Sequence, residues 1–150
     1  MREDNKNSYS IQAALGLAAA ELDKAEQLEQ AIMSSLENGE QIDTEALTDY
    51  AKVINSYCNA LDLMENYSKE QQQYEKVINL LSKYSESHPD QFNITMITYI
   101  KYATVLWKQK KFKKSSEALK LALSFLLTNM DNIDLDKIDT NLLTNQISQI

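Results

Sequence analysis

Residues 92–100 read FNITMITYI, and the assignment of this stretch decides the fold. Its β-branched and aromatic content would suit a strand. A lone strand, however, has nothing in this chain to pair with. The pattern also continues into Tyr99, Tyr102/Ala103 and Leu106, the three-four spacing of a helix. The stretch is therefore read as helical, starting in the region 90–93. The composition agrees: the 150 residues include only two glycines, Gly16 and Gly39, and one proline, Pro89. Glycine and proline punctuate turns, which β-rich and α/β folds use in numbers. Such a chain reads as long helices with short connections. It also has no place for a glycine-rich phosphate cradle.

Working outward, the spacing predicts an all-α chain of five to six helices forming a single helical domain over 1–150. Residues 1–7 are read as disordered. A long first helix starts near Ser8 or Ser10 and runs to about Leu36, with Ile11, Ala18, Ala25 and Ile32 on one seam and Leu15, Leu22 and Leu36 on the other. Gly39 is available for a left-handed cap. Asp43 or Thr44 caps a second helix whose face is Leu47, Tyr50/Ala51, Ile54, Tyr57/Cys58, Leu61 and Met64. Ser68-Lys-Glu-Gln71 has the form of a capping box and opens a third, with Tyr74, Val77/Ile78, Leu81 and Tyr84 on one side. The loop 85–90 precedes helix four. Helix five follows Lys110-Lys111, with Phe112, Ser115, Leu119, Ala122/Leu123 and Leu126 facing the core. Residues 131–150 form a weakly attached segment after the linker MDNIDLD, with Ile138, Leu142/Leu143, Ile147 and Ile150 on one face.

Charge is unevenly placed. From Lys101 to Lys120 there are seven lysines and one acid, Glu117, a net of +6, while the remainder of the chain carries −13 within a total of −7. Lys113 and Lys114 fall in the first turn of helix five, where the helix dipole disfavours cations by a few tenths of a kcal/mol each. That cost points to a use for the charge, either toward a partner or toward Asp131, Asp134, Asp136 and Asp139. The only arginine is Arg2, whereas arginine is the usual reader of bases and phosphates. Nucleic-acid binding through the 101–120 lysines is thus a secondary reading.

Catalytic and metal chemistry find little support. His88 is alone in a loop without a partner at ligand spacing, and Cys58 sits on an apolar helix face as a small core residue. The aspartates at 131–139 lack the glycine and glutamate of a calcium loop. The expectation is a non-enzymatic protein without cofactor or metal. A single cysteine suits a reducing compartment, no stretch is long enough to span a bilayer, and the mixed charge of MREDNKN does not suit a signal peptide. The chain is read as cytoplasmic, and the sequons at Asn66 and Asn93 as chance matches.

Helices four and five resemble a tetratricopeptide repeat. Tyr99, Tyr102, Ala103 and Leu106 carry the resemblance on the first helix, and Phe112, Ser115, Leu119 and Ala122 on the second. Small residues at Ala103, Ser115 and Ala122 let helix axes approach. Lys110 replaces the turn glycine common in that family. An earlier degenerate copy pairs Ile54, Tyr57, Cys58 and Leu61 with Tyr74, Val77, Leu81 and Tyr84, with a gap seven residues longer. The resemblance implies one or two helical hairpins after the long first helix. It also implies a concave groove presenting Ile97, Ile100, Thr104, Trp107 and Lys108, with Lys111 and Lys114 at its rim, while Phe112 is buried in the hairpin. The implied function is protein binding, as an adaptor or chaperone holding an amphipathic helix or acidic peptide of a partner. The alternative is a self-associating helical subunit, a homodimer through the N-terminal helix. No membrane partner is expected.

Overall fold

The computed structural model describes residues 2–84 and 89–129, with side chains described over 12–83 and 91–128. Five helices appear among them: α1 (Arg2–Glu37), α2 (Thr44–Leu63), α3 (Tyr67–Tyr84), α4 (Pro89–Lys108) and α5 (Phe112–Asn129). FNITMITYI lies within α4 and is helical throughout. α1 begins at Arg2, earlier than the Ser8 or Ser10 start read from the sequence. The expected sixth segment at 131–150, His88, and the side chains of Ile11 and Tyr84 lie outside the described residues.

One cap follows the sequence: Asp43 Oδ1 accepts from the Glu45 amide at 3.0 Å. Pro89, read as part of the loop 85–90, instead occupies the first position of α4, where its missing N–H costs nothing. The capping box read at Ser68 also differs. α3 is capped by Asn66, whose Oδ1 accepts from the Lys69 amide at 3.3 Å, two residues earlier than the proposed Ser68 box.

α2/α3 and α4/α5 are two hairpins in strict register. α2 and α4 begin at 44 and 89 and end at 63 and 108. α3 and α5 begin at 67 and 112 and end at 84 and 129, a constant offset of 45 residues. The turns repeat atom by atom. In the first, the amides of Met64, Glu65 and Asn66 donate to the carbonyls of Ala60, Asp62 and Leu61. In the second, Gln109, Lys110 and Lys111 donate to Val105, Trp107 and Leu106. Both are helix ends closed by a residue with positive φ, Glu65 at 56° and Lys110 at 62°. α1 ends the same way at Gly39, φ 69°, the one case with the residue best suited to that conformation.

This register moves the second half of the earlier copy by seven residues. Tyr67, and not Tyr74, is the counterpart of Phe112, and Glu70 is the counterpart of Ser115. The helix crossings confirm the alignment. Ser115 Oγ donates to the Ala103 carbonyl at 2.7 Å, and Cys58 Sγ, 45 residues before Ala103, lies 3.8 Å from the Glu70 carbonyl oxygen. The period extends back into α1, where Ala25 and Ile32 stand in line with Glu70 and Val77, all buried.

α1 packs along α2, α2 on α3 and α4, α3 on α4, and α4 on α5. One core cluster joins Ala25 and Ile32 of α1 to Leu47, Tyr50, Ile54 and Cys58 of α2, to Tyr74, Val77 and Leu81 of α3, and to Ile94 and Val105 of α4. On α1 the seam of Ala18, Ala25 and Ile32 is buried, but Ala14 is buried where Leu15 was expected, and Leu15 is exposed. Phe112 corrects the reading of helix five: it is 56% exposed. The α4–α5 core is filled instead by Phe92, Met96, Tyr99 and Ile100 against Ala122 and Phe125, with Phe92 and Phe125 stacked at 5.5 Å.

Candidate functional site

The junction of the two hairpins is built from polar side chains. Asn55 of α2 donates through Nδ2 to the Ala51 carbonyl at 2.8 Å and to Thr98 Oγ1 of α4 at 2.9 Å, both buried. Gln91 Nε2 reaches Thr48 Oγ1 at 3.4 Å, and Tyr102 Oη donates to Glu75 Oε2 at 3.1 Å. Lys111 Nζ and Gln109 Nε2 of the second turn both donate to Gln71 Oε1 of α3 at 2.8 Å. The two hairpins are thus latched by side chains on α2, α3 and α4.

Between α2, the first turns of α3, and α4 this junction opens into a cavity of about 70 Å³ lined by Asn59, Asp62, Glu70, Tyr74, Lys101, Thr104 and Lys108. Lys101 Nζ donates to Asn59 Oδ1 at 2.8 Å, and burial lowers its pKa. Lys108 Nζ donates to Asp62 Oδ1 at 2.7 Å and lies 5.5 Å from the Tyr67 ring centroid. Burial works downward on Lys108, but the bond to Asp62 and the nearby carboxylates outweigh it and raise its pKa. Thr104 Oγ1 donates to the Ile100 carbonyl at 2.9 Å.

Glu70 forms the floor. It is 4% exposed, and its Oε2 has no hydrogen-bond partner among the described residues. Burial, and then the Asp62 carboxylate beside it, push its pKa up to about 8. At neutral pH this is a mostly protonated acid held inside the fold. Tyr74 lines the cavity with it, and the Cys58 thiol lies 3.8 Å from the Glu70 carbonyl oxygen. Burial and then the charges around them raise the pKa of both. A thiol so placed is inert, as a buried structural cysteine is.

The groove residues expected from the sequence are divided among four settings. Ile97 and Ile100 are 8% and 2% exposed, so they form core packing and not an open groove wall. Thr104 and Lys108 line the polar cavity, and Lys111 is tied to Gln71. Trp107 is 49% exposed and meets the exposed Phe112 edge-on at 6.2 Å, and Lys114 is exposed on α5. Sequence reasoning missed Glu70, Asp62, Asn59 and Lys101. The signal that finds Glu70 is the 45-residue column Ala25, Glu70, Ser115, in which a carboxyl stands between two small residues at the helix crossing. Among the described residues no group of three or more His, Cys, Asp or Glu side chains is placed to hold a metal. Likewise, no described helix is long and apolar enough to cross a membrane.

Comparison with known proteins finds no match, whether to a family model, a curated protein or a solved structure.

Proposed function

We propose that the protein is a non-catalytic binding module, an adaptor or chaperone, that holds an amphipathic or acidic segment of another protein at the turn end of the α4–α5 hairpin. The observation that carries this reading is the aromatic pair Trp107–Phe112. Two rings stand edge to face at 6.2 Å, each about half exposed, and Lys110, Lys111, Lys113 and Lys114 flank Phe112 in the sequence. Exposed aromatics rimmed by cations suit a partner that supplies an apolar side chain and a nearby carboxylate. The corresponding positions of the first hairpin, Asp62 and Tyr67, are already engaged by Lys108 from the second. The second hairpin offers the same place open.

The tetratricopeptide-like character is part of the proposal. Tandem hairpins in register, with small residues at the crossing, support it, although the 45-residue period exceeds the roughly 34 residues usual for that repeat. A cytoplasmic location rests on the lone, buried Cys58. Self-association is the second reading, favoured by one observation. At the α1–α2 seam, Leu17 and Leu63 are exposed and border an apolar hollow of about 280 Å³ with Ala13, Ala14 and Ala60.

Trp107 is the sole tryptophan and reports directly on the site. Titration with an amphipathic helical peptide bearing an acidic flank should shift its emission, and a peptide with the flank neutralised should bind more weakly. Trp107→Ala should abolish capture of partners from the native host while leaving the unfolding midpoint within a few degrees of wild type. A large loss of stability in Trp107→Ala, or equal binding of both peptides, refutes the assignment. Light scattering across concentration tests self-association.

A further inference from the structure

The polar cavity at the hairpin junction is lined by two acids, Asp62 and Glu70, and two lysines, Lys101 and Lys108. One acid–base pair is closed: Lys108 Nζ lies 2.7 Å from Asp62 Oδ1. The other is open. Lys101 Nζ bonds a neutral acceptor, Asn59 Oδ1, at 2.8 Å, and among the described residues it forms no ion pair with Glu70. Glu70 Oε2 has no hydrogen-bond partner there either. An ammonium and a carboxyl thus line the same space of about 70 Å³ without meeting.

The helix crossing does not require this carboxyl. In the 45-residue register the counterparts of Glu70 are Ala25 and Ser115, both small and both buried. A small residue therefore suffices at the same place in the neighbouring elements, yet here a carboxyl is held only 4% exposed. The mixed charge of the walls selects the ligand. A simple anion would meet Asp62 and Glu70, and a simple cation would meet Lys101 and Lys108. A group carrying both charges can turn each toward its opposite. The volume sets the size, since a benzene-sized ligand occupies a cavity of about 150 Å³.

We infer that the cavity is a binding site for a small free α-amino acid, with the ligand's ammonium on Glu70 Oε2 and its carboxylate on the remaining N–H groups of Lys101. Such charge-assisted bonds are the strong ones in a partly buried site. Thr104 Oγ1, whose proton goes to the Ile100 carbonyl, has lone pairs left for the same ammonium. A buried ionisable group in a cleft with a cation across from it is the kind of arrangement that functional sites use.

Binding carries a proton signature. The titratable groups around Glu70 are Asp62 and Cys58 of α2, Tyr74 of α3, and Lys101 and Lys108 of α4. Burial, and then Asp62, hold the empty site's carboxyl mostly protonated at neutral pH. An ammonium at Oε2 favours the ionised form, so the carboxyl gives its proton to solvent as the ligand binds. Affinity should rise with pH toward about 8, where Glu70 ionises unaided, and level off above.

Calorimetric titration of the full chain with glycine tests this. The heat should saturate and, at pH 7, should vary with the ionisation enthalpy of the buffer, which reports the released proton. Acetate and methylammonium, each carrying half of the ligand, should bind about tenfold or more weakly. Glu70→Gln should weaken glycine binding by a similar factor and remove the buffer dependence, with helical content by circular dichroism unchanged. Lys101→Met should weaken it as much, and if that variant does not fold, Glu70→Gln and the ligand series still decide. No saturable heat at millimolar glycine would mean a cavity filled by water alone and overturn the inference. Acetate or methylammonium binding as tightly as glycine, heat independent of buffer, or undiminished binding by Glu70→Gln would each overturn it too. Peptide binding at Trp107–Phe112 does not depend on any of these results, so the two proposals fail separately.

Discussion

Replacing Glu70 should make the protein more stable at neutral pH and remove part of its pH dependence. The buried carboxyl has a pKa near 8 in the folded state, against an ordinary 4.5. Between those values the folded chain holds a proton that the unfolded chain releases, so stability falls as pH rises from about 4.5 to 8 and levels off above. At about 1.4 kcal/mol per pH unit the full effect is roughly 5 kcal/mol, and water entering at the cavity mouth reduces it to about 2–3 kcal/mol. Glu70→Gln keeps the shape and cannot ionise. Glu70→Ser copies Ser115, whose hydroxyl bonds to the crossing helix. Both variants should unfold in urea with a midpoint nearly constant between about pH 5 and 8.5, whereas wild type loses about 2 kcal/mol over that range. The variants should therefore match wild type near pH 5 and exceed it at pH 8. If wild type and Glu70→Gln change in parallel with pH, the carboxyl is not held protonated by the fold and the reasoning fails.

Ser115→Ala should cost about 1 kcal/mol in urea unfolding, because it removes a hydrogen bond made across a buried helix crossing; a neutral result would mean that this bond contributes nothing to the crossing. Lys110→Gly should raise stability by about 0.5–1 kcal/mol by relieving a positive φ of 62°, less the added freedom of glycine in the unfolded chain, and loss of stability would contradict the turn geometry. Asn55→Leu/Thr98→Val, which makes the latch apolar on both sides, should unfold within about 1 kcal/mol of wild type, while Asn55→Asp should cost about 3 kcal/mol or more by burying an unpaired charge.

The helices were legible because burial and sequence period coincide in α2, where Leu47, Tyr50, Ile54, Cys58 and Leu61 are all core residues. FNITMITYI was decided correctly because its neighbours carried the helical period further than its β-branched residues argued against it. Phe112 was misplaced for a specific reason. The register on α5 turns about Ser115, Ala118 and Ala122, and Phe112 lies at the edge of that stripe, against Trp107 and not beneath it. The second-helix match failed by two turns because Tyr74 is aromatic like Phe112, while the true counterpart, Tyr67, precedes a glutamate where a small residue was sought. The polar cavity could not be read locally. Glu70, Asp62 and Lys101 come from three helices, and only their packing brings them together.

The constant offset also bears on how the chain resists force and fluctuation. When each unit touches chiefly the next, free energy accumulates along a line: every hairpin contributes its own term and one coupling term to its neighbour. The Asn55–Thr98 and Gln71–Lys111 bonds are then the coupling between two cooperative elements. Weakening them would broaden the unfolding transition and separate it into two steps before it lowered the stability of either hairpin. A chain in which residues 44–88 occur twice in succession should accordingly fold, one hairpin longer, without any change to its ends.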